Sequence, residues 1–84
     1  VRHETNTAFC KAFGEHLRKL REERGLSIRQ LAAQCDLEHS QIQRIETGAI
    51  NTTISMVCKI AEGLSITHQE LFDFSFPDRK KRSL

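Results

Sequence analysis

The segment His39-Ser40-Gln41-Ile42-Gln43-Arg44 sets hydrogen-bonding groups without negative charge on both sides of one apolar residue. Such side chains suit the edges of base pairs: arginine donates twice to guanine, glutamine matches adenine, and serine serves either. A merely solvated helix face is ordinarily written with glutamate and lysine, and neither occurs in this segment. The chemistry on offer is nucleic-acid reading. No serine–histidine–aspartate pattern, phosphate-cradling glycine loop or paired acidic site accompanies it. His3, His16, His39 and His68 lack metal-ligand spacing. The residues therefore point away from an enzyme, a cofactor protein or a metal centre.

The elements that must position this segment are legible around it. Ser27 is a good helix N-cap, and Gln30 three residues on completes a capping box. Leu31, Ala32 and Cys35 then form one apolar stripe on a helix of about two turns. Asp36 breaks the pattern, with Leu37 a lone apolar residue in the break. A second helix follows from about His39, with Ile42 and Ile45 as its buried stripe, and Gly48 ends it. Two short amphipathic helices joined by a tight turn make a helix-turn-helix.

The flanking chain supplies further helices. Residues 1–5 read as a disordered lead, and a first helix is expected from Asn6 or Thr7 to the glycine stop at Gly25. Its stripe is Phe9, Phe13, Leu17 and Leu20. Gly14 within it costs about 1 kcal/mol relative to alanine, which close approach of another helix would explain. Thr53 caps a fourth helix whose apolar face, Ile54, Val57, Cys58, Ile60, Ala61 and Leu64, is broad enough for central packing. Thr67 and Glu70 form a capping box that opens a short fifth helix with Leu71 and Phe72. Phe72, Phe74 and Phe76 then alternate with Asp73 and Ser75 as a short extended segment closed by Pro77. These phenylalanines either fold back on the core or form part of a two-fold interface. Residues 6–76 thus read as one all-α, five-helix domain, and 77–84 as a basic tail.

Composition bounds the rest. Eighty-four residues make one small domain, burying only about 60–65% of its unfolded surface, so dimerisation would help it. Net charge is +2, and Arg79, Lys80, Lys81 and Arg82 lie together near the end. Without those four the body holds 9 Lys+Arg against 11 Asp+Glu. Coating nucleic acid by bulk charge is excluded; affinity must come from a local basic surface, the tail and two copies acting together. Cys10, Cys35 and Cys58 have no Cys-x-x-Cys pairing and read as reduced core thiols. No apolar run is long enough for a membrane span and no secretory start is visible, so a cytoplasmic location is expected.

The stretch from Phe13 to Phe72 resembles the lambda-repressor-like helix-turn-helix family, also called the xenobiotic-response-element or Cro type. The matching residues are Gly14, Leu17, Leu20, Arg21, Gly25, Leu26, Ser27, Leu31, Ala32, Leu37, Ile42, Ile45, Glu46, Gly48, Ile60, Ala61, Leu64 and Leu71. The resemblance implies a third helix lying in the major groove, with His39, Ser40 and Arg44 at base-reading positions and Gln43 a weaker candidate. It places Arg29, Gln41, Thr47 and Asn51 near the sugar–phosphate backbone. It also implies an ion pair between Arg21 and Glu46. Three positions depart from the family pattern: Ile28 replaces a phosphate-anchoring glutamine, Asp36 a turn glycine, and Glu38 a serine or threonine. A glutamate at position 38 is a poor cap and would repel a phosphate.

The resemblance further implies a homodimer on an inverted repeat of double-stranded DNA, with half-sites about 34 Å apart. Ile66, Leu71, Phe72, Phe74 and Phe76 are the expected dimer interface. The compact length favours the likeness to phage-type repressors and to controller proteins of restriction–modification systems, which often act on their own promoters. Two other readings stand beside this one. An antitoxin that represses its own operon would use the phenylalanine segment to hold a toxin. An interaction module that has lost DNA binding would fit the acidic body and Glu38.

Overall fold

Capping chemistry sets the start of three helices. Ser27 Oγ accepts from Gln30 N at 3.0 Å, Thr53 Oγ1 from Met56 N at 3.1 Å, and Thr67 Oγ1 from Glu70 N at 3.0 Å. In the computed structural model, which describes residues 2–76 with side chains from residue 7 on, the helices are α1 (Arg2–Glu23), α2 (Ile28–Cys35), α3 (His39–Glu46), α4 (Ile54–Leu64) and α5 (His68–Leu71). The expected basic tail, 77–84, lies outside the described residues. No strand is present among the described residues, and the architecture is all-α.

Four of the five helices end in the same way. After each, one residue takes the left-handed conformation: Gly25 (φ 67°), Asp36 (58°), Gly48 (78°) and Ser65 (58°). The amide of the following residue then donates back into the last turn, Leu26 to Arg21 O, Leu37 to Ala32 O, Ala49 to Arg44 O and Ile66 to Ala61 O, at 2.8–3.2 Å. This is the Schellman closure, and its apolar following residue packs beneath the helix end. Leu26, Leu37 and Ile66 are all partly buried against the core. Aspartate tolerates the left-handed turn better than most residues. Ser65 carries no such signal in the sequence.

The core draws on every helix: Phe13 and Leu17 from α1, Leu31, Ala32 and Cys35 from α2, Ile42 and Ile45 from α3, Ile60, Ala61 and Leu64 from α4, and Leu71 from α5. Two glycines set the helix crossings. A Cβ on Gly14 would collide with the carbonyl oxygens of Ile45 and Glu46, so α1 lies directly on the end of α3. A Cβ on Gly63 would stand 2.5 Å from Cys35 Sγ and 2.9 Å from Gln34 O, so α4 lies as closely on α2. The helix-turn-helix is thereby clamped from both sides.

Several expectations need correction. α1 begins at Arg2, and Arg2–Thr5 belong to it, because no proline or glycine interrupts the chain before Phe9 and Asn6 and Thr7 are accommodated within the helix. Ile54 is 86% exposed, since the inward face of α4 runs through Met56 and Val57, which are partly buried, to Ile60, Ala61 and Leu64, which are buried. Cys58 is exposed, with Sγ directed to Glu62 Oε2 at 3.7 Å, and Cys10 is half-buried; only Cys35 is a core thiol. Leu71 is fully buried in the monomer and cannot face a partner.

The phenylalanine segment folds back along α1. Phe72 stacks on Phe13 with ring centroids 5.1 Å apart, Phe74 lies 5.4 Å from Phe9, and Phe76 meets Phe9 edge-on at 5.1 Å. His16 reaches the same segment, its Nε2 at 3.1 Å from Glu70 O and its ring 5.3 Å from Phe74. Phe74 and Phe76 are half-buried by this packing, while Phe72 keeps 42% of its surface exposed. Their period of two places Phe74 and Phe76 on α1, where the spacing of Phe9 and Phe13 provides matching rings.

Candidate nucleic-acid interface

α3 is held by three buried residues, Ile42, Ile45 and Glu46. With those turned inward, His39, Ser40, Gln43 and Arg44 are all exposed. Their spacing (i, i+1, i+4, i+5) puts them on one helix face. Glu46 is the helix's only acid, and it is removed from that face by pairing with α1. Arg21 Nε donates to Glu46 Oε2 at 2.6 Å and Nη2 to Oε1 at 3.0 Å, while Nη1 caps Leu26 O at 2.8 Å. The side chains are only 11% and 5% exposed. The hydrogen bonds to Glu46 hold the Arg21 guanidinium above its ordinary pKa; burial opposes this, and the charges of Glu46 and Glu22 add to it. What remains on the outward face is donor-rich and free of carboxylate within the helix.

The residues expected at the DNA backbone fall into two groups. Arg29, at the start of α2, is exposed and shares an open crevice of about 440 Å³ with Glu38, His39 and Ser40. Thr47 and Asn51 lie beyond the other end of α3. Thr47 Oγ1 donates to Arg44 O at 3.2 Å, and Asn51 Oδ1 accepts from Cys10 Sγ at 2.9 Å. Gln41 is half-buried, and its Oε1 accepts from Glu38 N at 2.9 Å. This back-bond caps α3, so the Gln41 carbonyl is occupied within the protein. The Glu38 carboxylate takes the pose of a capping-box residue but makes no hydrogen bond to the helix; the Gln41 amide donates to the Glu38 carbonyl at 3.0 Å instead.

Of the residues expected at a dimer interface, Leu71 belongs to the core and Phe74 and Phe76 pack on α1. Ile66 is half-buried, and Phe72 is the most exposed of the five. Sequence reasoning missed the Cys10–Asn51 bond, which joins α1 to the loop after α3. It also missed the pairing of Phe9 with the phenylalanine segment, although five phenylalanines at compatible spacings were a usable signal.

Comparison with known proteins agrees with this geometry. A family model described as a helix-turn-helix domain matches residues 12–73. The control protein C.MunI of Mycoplasma sp is 44% identical over 61 residues, covering 71% of this chain and 82% of the relative. The HTH-type transcriptional repressor RghR of Bacillus subtilis (strain 168) is 40% identical over 62 residues, covering 73% of this chain but 46% of RghR. The crystal structure of the restriction-modification controller protein C.AhdI from Aeromonas hydrophila superimposes with a TM-score of 0.73 at 36% identity, over 75% of this chain and 96% of that one. The chain belongs to the helix-turn-helix domain family.

Proposed function

We propose that this helix-turn-helix protein is a sequence-specific transcriptional regulator that binds double-stranded DNA as a homodimer on an inverted repeat, in the manner of a restriction–modification controller protein acting on its own promoter. The observation that carries this reading is the division of α3 into two faces. Ile42, Ile45 and the neutralised Glu46 point inward; His39, Ser40, Gln43 and Arg44 point outward, ready for base edges. The relatives support it: one is named a control protein, another a transcriptional repressor, and a third a restriction-modification controller.

In this reading α3 enters the major groove with its first turn and outward face toward the bases. Arg44 donates to a guanine. Arg29 at one end and Thr47 with the Ala49–Asn51 loop at the other meet phosphates and fix the register. One such helix covers only a few base pairs, so a second copy supplies the rest of the affinity through effective concentration. Phe72 and Ile66 supply apolar surface for that second copy. As a DNA-binding regulator it would act in the cytoplasm; among the described residues no helix is long and apolar enough to cross a membrane.

The test is a footprint on DNA immediately upstream of the protein's own gene, at two salt concentrations, with wild type beside Arg44→Ala. Protection of an inverted repeat that weakens with salt and with the substitution is the expected result. No protection at low salt, followed by no enrichment from random duplex DNA, would overturn the reading.

A further inference from the structure

We propose that Glu38 is a specificity-determining residue, accepting a hydrogen bond from the exocyclic amino group of a cytosine in the major groove. The inference rests on the DNA-binding reading above and extends it to a residue whose charge argues against DNA at first sight.

Glu38 stands at the N-cap of α3 with extended backbone (φ −84°, ψ 151°) and an exposed side chain. The first residues of a recognition helix are those that reach base edges. Its carboxylate forms no ion pair among the described residues; it sits in a capping box with Gln41, facing the Gln41 amide, which donates to the Glu38 carbonyl at 3.0 Å. The capping work at this end falls to Gln41, whose Oε1 holds the Glu38 amide at 2.9 Å. The exposed carboxylate still has acceptor positions open to solvent, and Glu38 borders the same crevice as Arg29, His39 and Ser40.

Complementarity narrows what it accepts from. Arginine and neutral side chains on this face can donate to guanine or bind adenine through an amide, as Arg44 and Gln43 are placed to do. A carboxylate is an obligate acceptor, and in the major groove it matches the amino group of cytosine. The positive end of α3 lowers the cost of holding a negative charge there, and Arg29 in the same crevice offsets repulsion from a neighbouring phosphate. An exposed carboxylate without a cationic partner at the mouth of a base-reading helix is thus explained by a base that needs an acceptor.

The experiment is selection from random duplex DNA with wild type, Glu38→Gln and Glu38→Thr, followed by equilibrium titration of the selected duplex and of versions altered at one base pair. Threonine restores a good N-cap without the carboxylate, and thermal melting of each variant verifies that it is folded. Wild type is expected to enrich cytosine at one position of each half-site, preferring it on the order of tenfold. Both variants should lose that preference and leave other positions unchanged, with glutamine moving toward adenine. Identical preferences in all three proteins, with uniformly tighter binding by the threonine variant, would overturn the inference and leave Glu38 as a repelling charge. If wild type enriches nothing, the DNA-binding reading itself fails, an outcome distinct from the last.

Discussion

Arg21 and Glu46 are joined by two parallel hydrogen bonds across 25 residues of chain, with nitrogen–oxygen distances of 2.6 and 3.0 Å. The same guanidinium holds Leu26 O at 2.8 Å. One side chain thus ties the end of α1 to the end of α3 and to the turn leading into α2. Fork-to-fork pairing of this kind fixes orientation as well as distance. It also strips α3 of its only carboxylate.

Breaking this pair from one side should be costly. Glu46→Ala or Arg21→Ala leaves a nearly buried charge without its partner and should destabilise the fold by ~3–5 kcal/mol in urea unfolding. The double substitution should cost clearly less than the sum of the singles. Additivity within a few tenths of a kcal/mol would show that the two charges are not coupled.

Gly14→Ala sets two effects against each other. Alanine gains about 1 kcal/mol of helix propensity. Its Cβ would collide with backbone carbonyls of Ile45 and Glu46, which are not flexible groups that can move aside. Overpacking should win, with a net loss of ~1–3 kcal/mol and a lowered melting temperature. A stabilised Gly14→Ala protein would show that α1 and α3 do not sit this close.

These features differ in how far the sequence revealed them. The caps at Ser27, Thr53 and Thr67 and the stops at Gly25 and Gly48 are local: the residues that make the bond are three or four apart, so a linear reading finds them. The close approach at Gly14 was also legible, because glycine inside a strong helix needs a reason. Burial is not local. Ile54 and Cys58 look as apolar as Ile60, yet they lie on the outer side of α4, whereas Met56 and Val57 are partly buried and Ile60, Ala61 and Leu64 are buried. The phenylalanine segment had two outcomes of equal apolar content, and only the position of α1 decides between them. Ser65 adopts the left-handed turn (φ 58°) with no glycine or asparagine to announce it. On α3 the reading face was legible from side-chain type, whereas the bond that occupies Gln41 was not.

Cys35 should make stability fall at alkaline pH. Burial raises its thiol pKa from 9.0 to about 11. Below pH 9 the thiol is neutral in both folded and unfolded chains. Between about 9 and 11 the unfolded chain loses the proton first, so rising pH favours unfolding. The contribution is on the order of 2 kcal/mol and should be lost by pH 11. Melting temperature measured at pH 8 and pH 10 should drop more for wild type than for Cys35→Ala, although the alanine protein starts lower. Equal drops would place the alkaline sensitivity elsewhere.

Leu71 and Phe72 are neighbours with opposite predicted phenotypes. Leu71 is fully buried, so Leu71→Ala should cost ~2–5 kcal/mol of monomer stability. Phe72 is 42% exposed and stacks on Phe13, so Phe72→Ala should cost the monomer ~1–2 kcal/mol at most. If Phe72 supplies dimer surface, sedimentation equilibrium should show its dimer weakened well beyond that loss. An unchanged dimer would move the interface to other exposed apolar residues, of which Ile54 is the most exposed.

Arg44 and Arg29 separate base reading from phosphate positioning. Both are exposed arginines flanking the same surface, so bulk charge loss is equal in the two alanine variants. Arg44 lies on the outward face of α3, and Arg44→Ala should cost ~1–3 kcal/mol on the preferred site while relaxing choice at one base. Arg29→Ala should weaken all sequences alike and lower the slope of log affinity against log salt by about one per lost phosphate contact. Fluorescence anisotropy on matched and mismatched duplexes at several salt concentrations distinguishes the two patterns. Uniform weakening by both substitutions would mean that neither arginine reads a base, and recognition would then fall to Glu38, His39, Ser40 and Gln43.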